Sequence, residues 1–540
     1  MKKVLSLVII LALSMSMIGC GGSQQASGED VKKEKILTLI KEADLNSMDP
    51  QLATDGLSFE AIAATIDGLY YTAEDGSAQP ALAEKTEVSE DGLQYTFTIR
   101  DAKWSNGDPV TAHNFVYGWR RLADPQLASE YAYMLDVAGV KNGWLCSTGE
   151  KPLEELGVKA LDDKTFVVEL DRVVPFFVKL TTFPSFYPSN QAFVEAQGDQ
   201  YALTPEAALA CGPFKLSEWY PGSSFKVVKN KAYWDADAVK LDAINFKIVL
   251  DSQSAVLEYD SGASDYVRLS GELVEKYKDN PNFTTTLGSY LWYLSVNLKK
   301  EDLSNINLNK ALAYSFNREQ IADSVLKDSS VGANYFVPIK LATGPDGKDF
   351  RETSPKYFTE GKDAAKEYWD KAKAEIGKDK LTIELLFEDS EASKKVAEFL
   401  KAEIETTLAG ITIELKSQPK KTRLTLMKAG EYEVCLTRWG PDYQDPMTYL
   451  ELFVSDGSMN YGGYKDPEYD ALIAKCKSGE ISLEERWEVM KEAEKILLQG
   501  GGPIPVYQTG ASNLWNPKVI GAINNSVGVP YTYKYADIIE

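Results

Sequence analysis

Apolar residues recur along this chain at two periods, two and about three and a half, and the switches between them mark its elements. Ile36–Ile40 reads as a strand that Asp49-Pro50 brings to an end. Phe59, Ile62, Ile66 and Leu69 fall at helical spacing and predict a helix over 58–71. Thr54-Asp55-Gly56 lies in the connection, where Gly56 permits either the close approach of another backbone or a simple turn. Leu93, Tyr95, Phe97 and Ile99 alternate as one face of a strand, and a helix follows over 112–122. After Cys211-Gly212-Pro213 the spacing predicts strands over 214–216, 225–228 and 244–248 and a helix over 252–259.

A further region starts with a strand over 292–297 and helices over 309–316 and 318–326. The run of strand 381–387, helix 390–408 and strand 411–415 is a β-α-β unit, which implies parallel strands with a right-handed crossover. A helix over 422–428 leads into an apolar strand over 432–436, and Thr437-Arg438-Trp439-Gly440-Pro441-Asp442-Tyr443-Gln444-Asp445-Pro446 follows directly. Gly440-Pro441 stops the strand, and Asp442 sits just beyond it, between two aromatic residues. Two readings of Asp442 stand on these residues: an ordinary turn carboxylate, or a rigidly held, water-shielded counter-ion for a cation such as a peptide's α-ammonium. A helix over 484–498 and a strand over 504–507 complete the pattern.

The first residues do not belong to a folded core. Lys2 and Lys3 precede an apolar run too short for a stable membrane span, and Met17-Ile18-Gly19-Cys20 ends it. This resembles a bacterial lipobox with Met at the usual Leu position, making 1–19 a lipoprotein signal peptide, Cys20 the lipid-bearing residue and the polar stretch 20–32 a tether; a plain secretory signal is the alternative. The rest is too long for one core, so two or three domains are expected. A formal charge of -22 excludes nucleic-acid binding through a basic face. Attraction to anionic headgroups is excluded with it, so membrane attachment falls to the lipid. Cys146, Cys211, Cys435 and Cys476 allow three disulfide connectivities or none. Without a Cys-x-x-Cys pair, and with His113 alone, the usual zinc sites are excluded. The phosphate-binding, dinucleotide-binding and nucleophile-elbow motifs are absent, and the chain reads as no enzyme, without metal or cofactor.

Several stretches together resemble a known family. They are Ala83 to Ala112, continuing to Trp119 and on through Leu122-Ala123-Asp124-Pro125, then Gly157 to Asp163, Gly212-Pro213-Phe214, Tyr233-Trp234-Asp235, Asn309 to Leu312 and Trp439 to Pro446. From about Lys35 to the C-terminus the chain resembles the oligopeptide-binding lipoproteins of ABC importers, extracytoplasmic solute-binding proteins of family 5. The resemblance implies an α/β, two-lobed periplasmic-binding-protein-like fold (class II, cluster C) with an extra inserted domain. Domain I would comprise 33–66, 190–288 and 508–540, domain II 67–189, and domain III 289–507, with hinge crossings near 289 and 507. Short peptides would lie extended between Thr54-Asp55-Gly56 and Arg438-Trp439-Gly440, with the α-ammonium on Asp442, enclosed by Tyr131 and walled by Trp439 and Tyr443. Partners would be the peptide and an ABC permease with its ATPase subunits, and the protein would be a monomer held by its lipid on the outer face of the bacterial cell membrane. A metal chelate, a sugar oligomer or a signalling peptide is the alternative ligand on the same fold, and a secreted hydrolase is the alternative activity. Two departures stand out. Met427 and Leu436 occupy positions where some Gram-negative members carry Arg, leaving Lys428 and Arg438 as the nearest cations for a ligand carboxylate, and Gly440 replaces a disulfide cysteine.

Overall fold

The computed structural model describes residues 34–74, 76–525 and 527–539; the expected signal peptide 1–19, Cys20 and tether 20–32 lie outside them. Two long strands organise the chain. Phe283–Val296 and Ile504–Trp515 run antiparallel to each other from Phe283↔Leu514 at one end to Leu294↔Ile504 at the other. Each end carries its own half of one sheet. At the 515 end, Tyr266–Leu269 pairs with Ile504–Trp515, followed by Ile36–Lys41 and Ala243–Ile248 in parallel, then Ser224–Lys229 and Phe214–Tyr220 as an antiparallel hairpin. At the 504 end, Val434–Trp439 pairs with Phe283–Val296, and the predicted β-α-β unit follows as parallel strands Leu381–Glu388 and Ile411–Gln418. Helix Glu391–Thr407 covers the crossover, burying Val396, Ala397, Leu400 and Ile404.

A four-stranded antiparallel sheet stands apart, ordered Ala83–Val88, Gln94–Ile99, Thr165–Glu169 and Val158–Ala160. Its Phe97 and Phe166 pack with Phe115 and Trp119 of helix Ala112–Ala123 in one apolar cluster. This region lies in the chain between the first two strands of the 515-end half-sheet, Ile36–Lys41 and Phe214–Tyr220.

Four elements differ from the sequence pattern. The helix expected over 58–71 is Gly56–Thr65. Asp55 caps it early, its carboxylate accepting from the Ser58 N–H at 3.1 Å and from the Ser58 hydroxyl at 2.7 Å. It stops at Thr65 because the N–H groups of Cys211 and Gly212 donate to the Thr65 carbonyl at 3.0 and 2.8 Å, taking the acceptor that another turn would have used. Ile66 and Leu69 are buried as part of the following extended chain. The strands expected at 292 and 504 are also far longer than their apolar runs. Finally, the helix over 318–326 divides into Arg318–Gln320 and a π-helical Ile321–Leu326. Cys146, Cys211, Cys435 and Cys476 are all free and buried. Among the described residues no helix is long and apolar enough to cross a membrane.

Candidate ligand-binding cleft

Strand Val434–Trp439 meets Leu381–Glu388 only at Leu385↔Val434 and Leu386↔Cys435. On that edge no described strand pairs with Thr437-Arg438-Trp439; the Trp439 carbonyl accepts from the Tyr449 hydroxyl at 3.2 Å, and the Arg438 edge is left for an added strand. The other half supplies a second open stretch. The N–H and C=O of Thr54 and the N–H groups of Asp55 and Gly56 make no hydrogen bond among the described residues, while the Asp55 side chain is spent on Ser58 and on Asn46 at 3.0 Å.

One tyrosine touches both stretches. Between Leu287↔Gly510 and Leu291↔Gln508, three residues of the long strand face a single residue of its partner. Such a bulge re-aims a side chain, and here it carries Tyr290 against both glycines. A Cβ on Gly440 would lie 2.3 Å from the Tyr290 ring, and one on Gly56 would lie 3.3 Å from its hydroxyl. Glycine at 440 is therefore a steric requirement of this arrangement.

Beyond Gly440-Pro441 the chain turns, and Asp442 is held by its N–H donating to Thr448 Oγ1 at 3.0 Å. Only 7% of Asp442 is exposed. Two hydroxyls from the other side of the cleft reach its carboxylate: Tyr133 donates to Oδ2 at 2.8 Å and Tyr131 to Oδ1 at 3.3 Å. No described cation pairs with it. Burial raises its pKa from an ordinary 3.8 to about 7, against the two hydroxyls, which lower it. Tyr443 stacks on Phe176 with ring centroids 5.3 Å apart and donates to Glu451. Burial pushes Glu451 to about 7 as well, with Lys477 opposing. A cavity of about 410 Å³ opens beside Asp442, Tyr443 and Gln444, bordered also by Lys179, Phe183 and Thr285.

Of the residues singled out in the sequence, the fold joins Tyr131, Asp442 and Tyr443 at one end of the cleft. Gly56 and Gly440 meet around Tyr290. Trp439 packs against the core cluster, and Arg438 pairs with Glu388 at 2.8 Å. Thr54 is exposed. Lys428, expected to be one of the cations nearest a ligand carboxylate, pairs instead with Glu130 from the opposite side. Tyr133 and Tyr290 escaped the sequence reading. The spacing Tyr131-Ala132-Tyr133 hints at the first, whereas only the bulge reveals the second.

Two half-sheets joined by two strands, with a sealed carboxylate between them, define a two-lobed binding protein. Residues 77–461 match the family described as bacterial extracellular solute-binding proteins, family 5 (middle region), and the chain belongs to that family. It is 32% identical to the dipeptide-binding protein DppE of Bacillus subtilis (strain 168), with 99% of each chain covered. Among solved structures, the substrate-binding domain of an oligopeptide ABC transporter from Bacillus anthracis str. Ames is similar at 39% identity and a TM-score of 0.89, covering 94% of this chain and 99% of that one. The Escherichia coli murein tripeptide binding protein MppA, 28% identical, matches at 0.86 over 94% of this chain and 99% of its own. Its unliganded open form, with 94% and 98% covered, matches at only 0.66. The lobes here thus stand unlike that open form, in keeping with the contacts of Tyr131 and Tyr133 on Asp442 across the cleft.

Proposed function

We propose that this chain is a lipid-anchored extracytoplasmic receptor that captures short peptides in extended form and presents them to an ABC permease. The observation that carries the reading is Asp442, a buried carboxylate that no cation among the described residues neutralises, set at the end of an unpaired strand edge. A buried charge is costly unless paired, and an arriving α-ammonium supplies the pair. The open backbone of Arg438 to Gly440 and of Thr54 to Gly56 would bond to the peptide main chain, which every sequence shares, so one site serves many peptides. Tyr131, Tyr133 and Tyr443 close over the ammonium. The lobes 33–66 with 190–288 and 508–540, carrying the insertion 67–189, and 289–507 would move about crossings near 289 and 507, where, among the described residues, the two long strands alone join the half-sheets. Cys20 would hold the protein at the membrane.

Dipeptide binding by one relative and the oligopeptide transporter origin of another support the ligand class. Isothermal titration with an unmodified tetrapeptide tests it. Saturable one-to-one binding is expected, and the absence of binding to any short peptide would overturn it.

A further inference from the structure

One lysine stands between two acids where the sides of the cleft meet. Asp136 belongs to the short helix Met134–Val137, just beyond Tyr133. Lys477 ends the helix Pro467–Lys477 on the opposite side. Its Nζ lies 2.5 Å from Asp136 Oδ2 and 3.9 Å from Glu451 Oε2. Asp136 also has a cation from its own side: Arg172 Nη1 lies 3.5 Å from Oδ1, and Nη2 donates to the Asp136 carbonyl. Glu451 has no other ion pair among the described residues; its side chain is 9% exposed and accepts from the Tyr443 hydroxyl. The shared lysine has thus gone to the acid that already had a cation.

A buried carboxylate without a full counter-charge is costly. Burial raises Glu451 to about 7 against Lys477 and the Tyr443 hydroxyl, with Asp136 and Asp445 adding to burial. Asp445 is itself engaged by Arg486 at 2.7 and 2.9 Å. Asp442, Tyr133 and Tyr469 face Glu451 too, and none of them brings positive charge. Parting the lobes would carry Asp136 away together with Arg172. Lys477 would then be left to Glu451, and Asp136, Glu451 and Asp445 would each keep one cation.

We propose that Lys477 is an exchange cation, serving Glu451 when the lobes are apart and Asp136 when they meet, so that closing draws a proton onto Glu451. This needs the movement of the lobes and not the identity of the ligand. The closed form holds that proton more tightly than the open form. Closure is therefore favoured at low pH and loses this support as pH rises through about 7. Tyr443 carries the effect to the cleft, because the ring that donates to Glu451 also borders the cavity beside Asp442.

Small-angle X-ray scattering of the ligand-free chain, from about pH 5.5 to about 8.5, reads the balance of open and closed forms. The background is Asp442→Asn, which removes the other carboxylate that burial raises. There the open-to-closed ratio should rise at least tenfold over this range, seen as a larger radius of gyration. Adding Glu451→Gln, which can still accept from Tyr443, should abolish the rise and leave the chain compact and closed. Adding Lys477→Met should also abolish it, because Glu451 then lacks its cation in both forms. Adding Lys475→Met, whose lysine pairs with Glu485 at the surface, should preserve it. A tenfold rise that survives Glu451→Gln or Lys477→Met, or no rise in the Asp442→Asn background, would overturn the exchange.

Discussion

Replacing Asp442 by Asn separates what this carboxylate does for binding from what it does to stability. The side chain keeps its shape and still accepts from Tyr133, so the turn held by Thr448 should survive. Binding should suffer. Removing one partner of a buried charge pair costs about 2–5 kcal/mol, so affinity for a free-amine peptide should drop by roughly thirty- to several thousand-fold. Stability should move the other way. The folded pKa, about 7, lies above the ordinary 3.8, so the folded state holds its proton more tightly than the unfolded chain does. Stability from this group is therefore complete below about pH 4 and lost as pH rises through 7, and a pKa difference of this size is worth roughly 4 kcal/mol at full ionisation. Asn does not titrate. In urea unfolding of ligand-free protein, Asp442→Asn should gain on wild type between pH 5 and 8 by up to that amount. Parallel pH profiles for the two proteins would refute the assignment of a sealed, unpaired carboxylate, whatever the binding result.

Other expectations follow from the same geometry. Tyr133→Phe removes the hydroxyl that holds Asp442 Oδ2 and lowers its pKa; the pH at which stability falls should shift upward, as the same unfolding series will read. Gly440→Val must displace the Tyr290 ring, because even a Cβ would sit 2.3 Å from it; peptide affinity should fall at least tenfold, roughly 1.4 kcal/mol, by titration. Glu494 is fully buried, accepts from the N–H groups of Phe336 and Val337 at 2.9 and 2.8 Å, and pairs with Arg351. Glu494→Ala leaves that guanidinium buried and unpaired, and thermal or urea unfolding should show a loss of about 3–5 kcal/mol.

The β-α-β unit was legible because Ile383, Leu385 and Phe387, Val396, Leu400 and Ile404, and Ile411 and Ile413 keep clean periods on elements with one buried face. The long strands were not. Phe283 to Leu287 is threonine-rich and largely exposed, and Gln508, Ser512 and Asn513 are polar yet buried, because these strands lie in the middle of the sheet with partners on both sides. Their burial is set by the joining of two lobes, which no local period records. At the cleft, the stop-and-turn around Asp442 is a local signal and was readable. Tyr131 entered only through the family resemblance. The links that complete the cleft span long stretches of chain: Tyr133 to Asp442, Arg438 to Glu388, and Lys428 to Glu130. A sequence names the charges, while only packing decides which of them are left over.

The most direct measurement compares one tetrapeptide with its N-acetyl form by isothermal titration at pH 7. If Asp442 grips the α-ammonium, acetylation should weaken binding by roughly thirty-fold or more. Equal affinity for the two would contradict the account, because the sealed carboxylate would then have no part in holding the ligand.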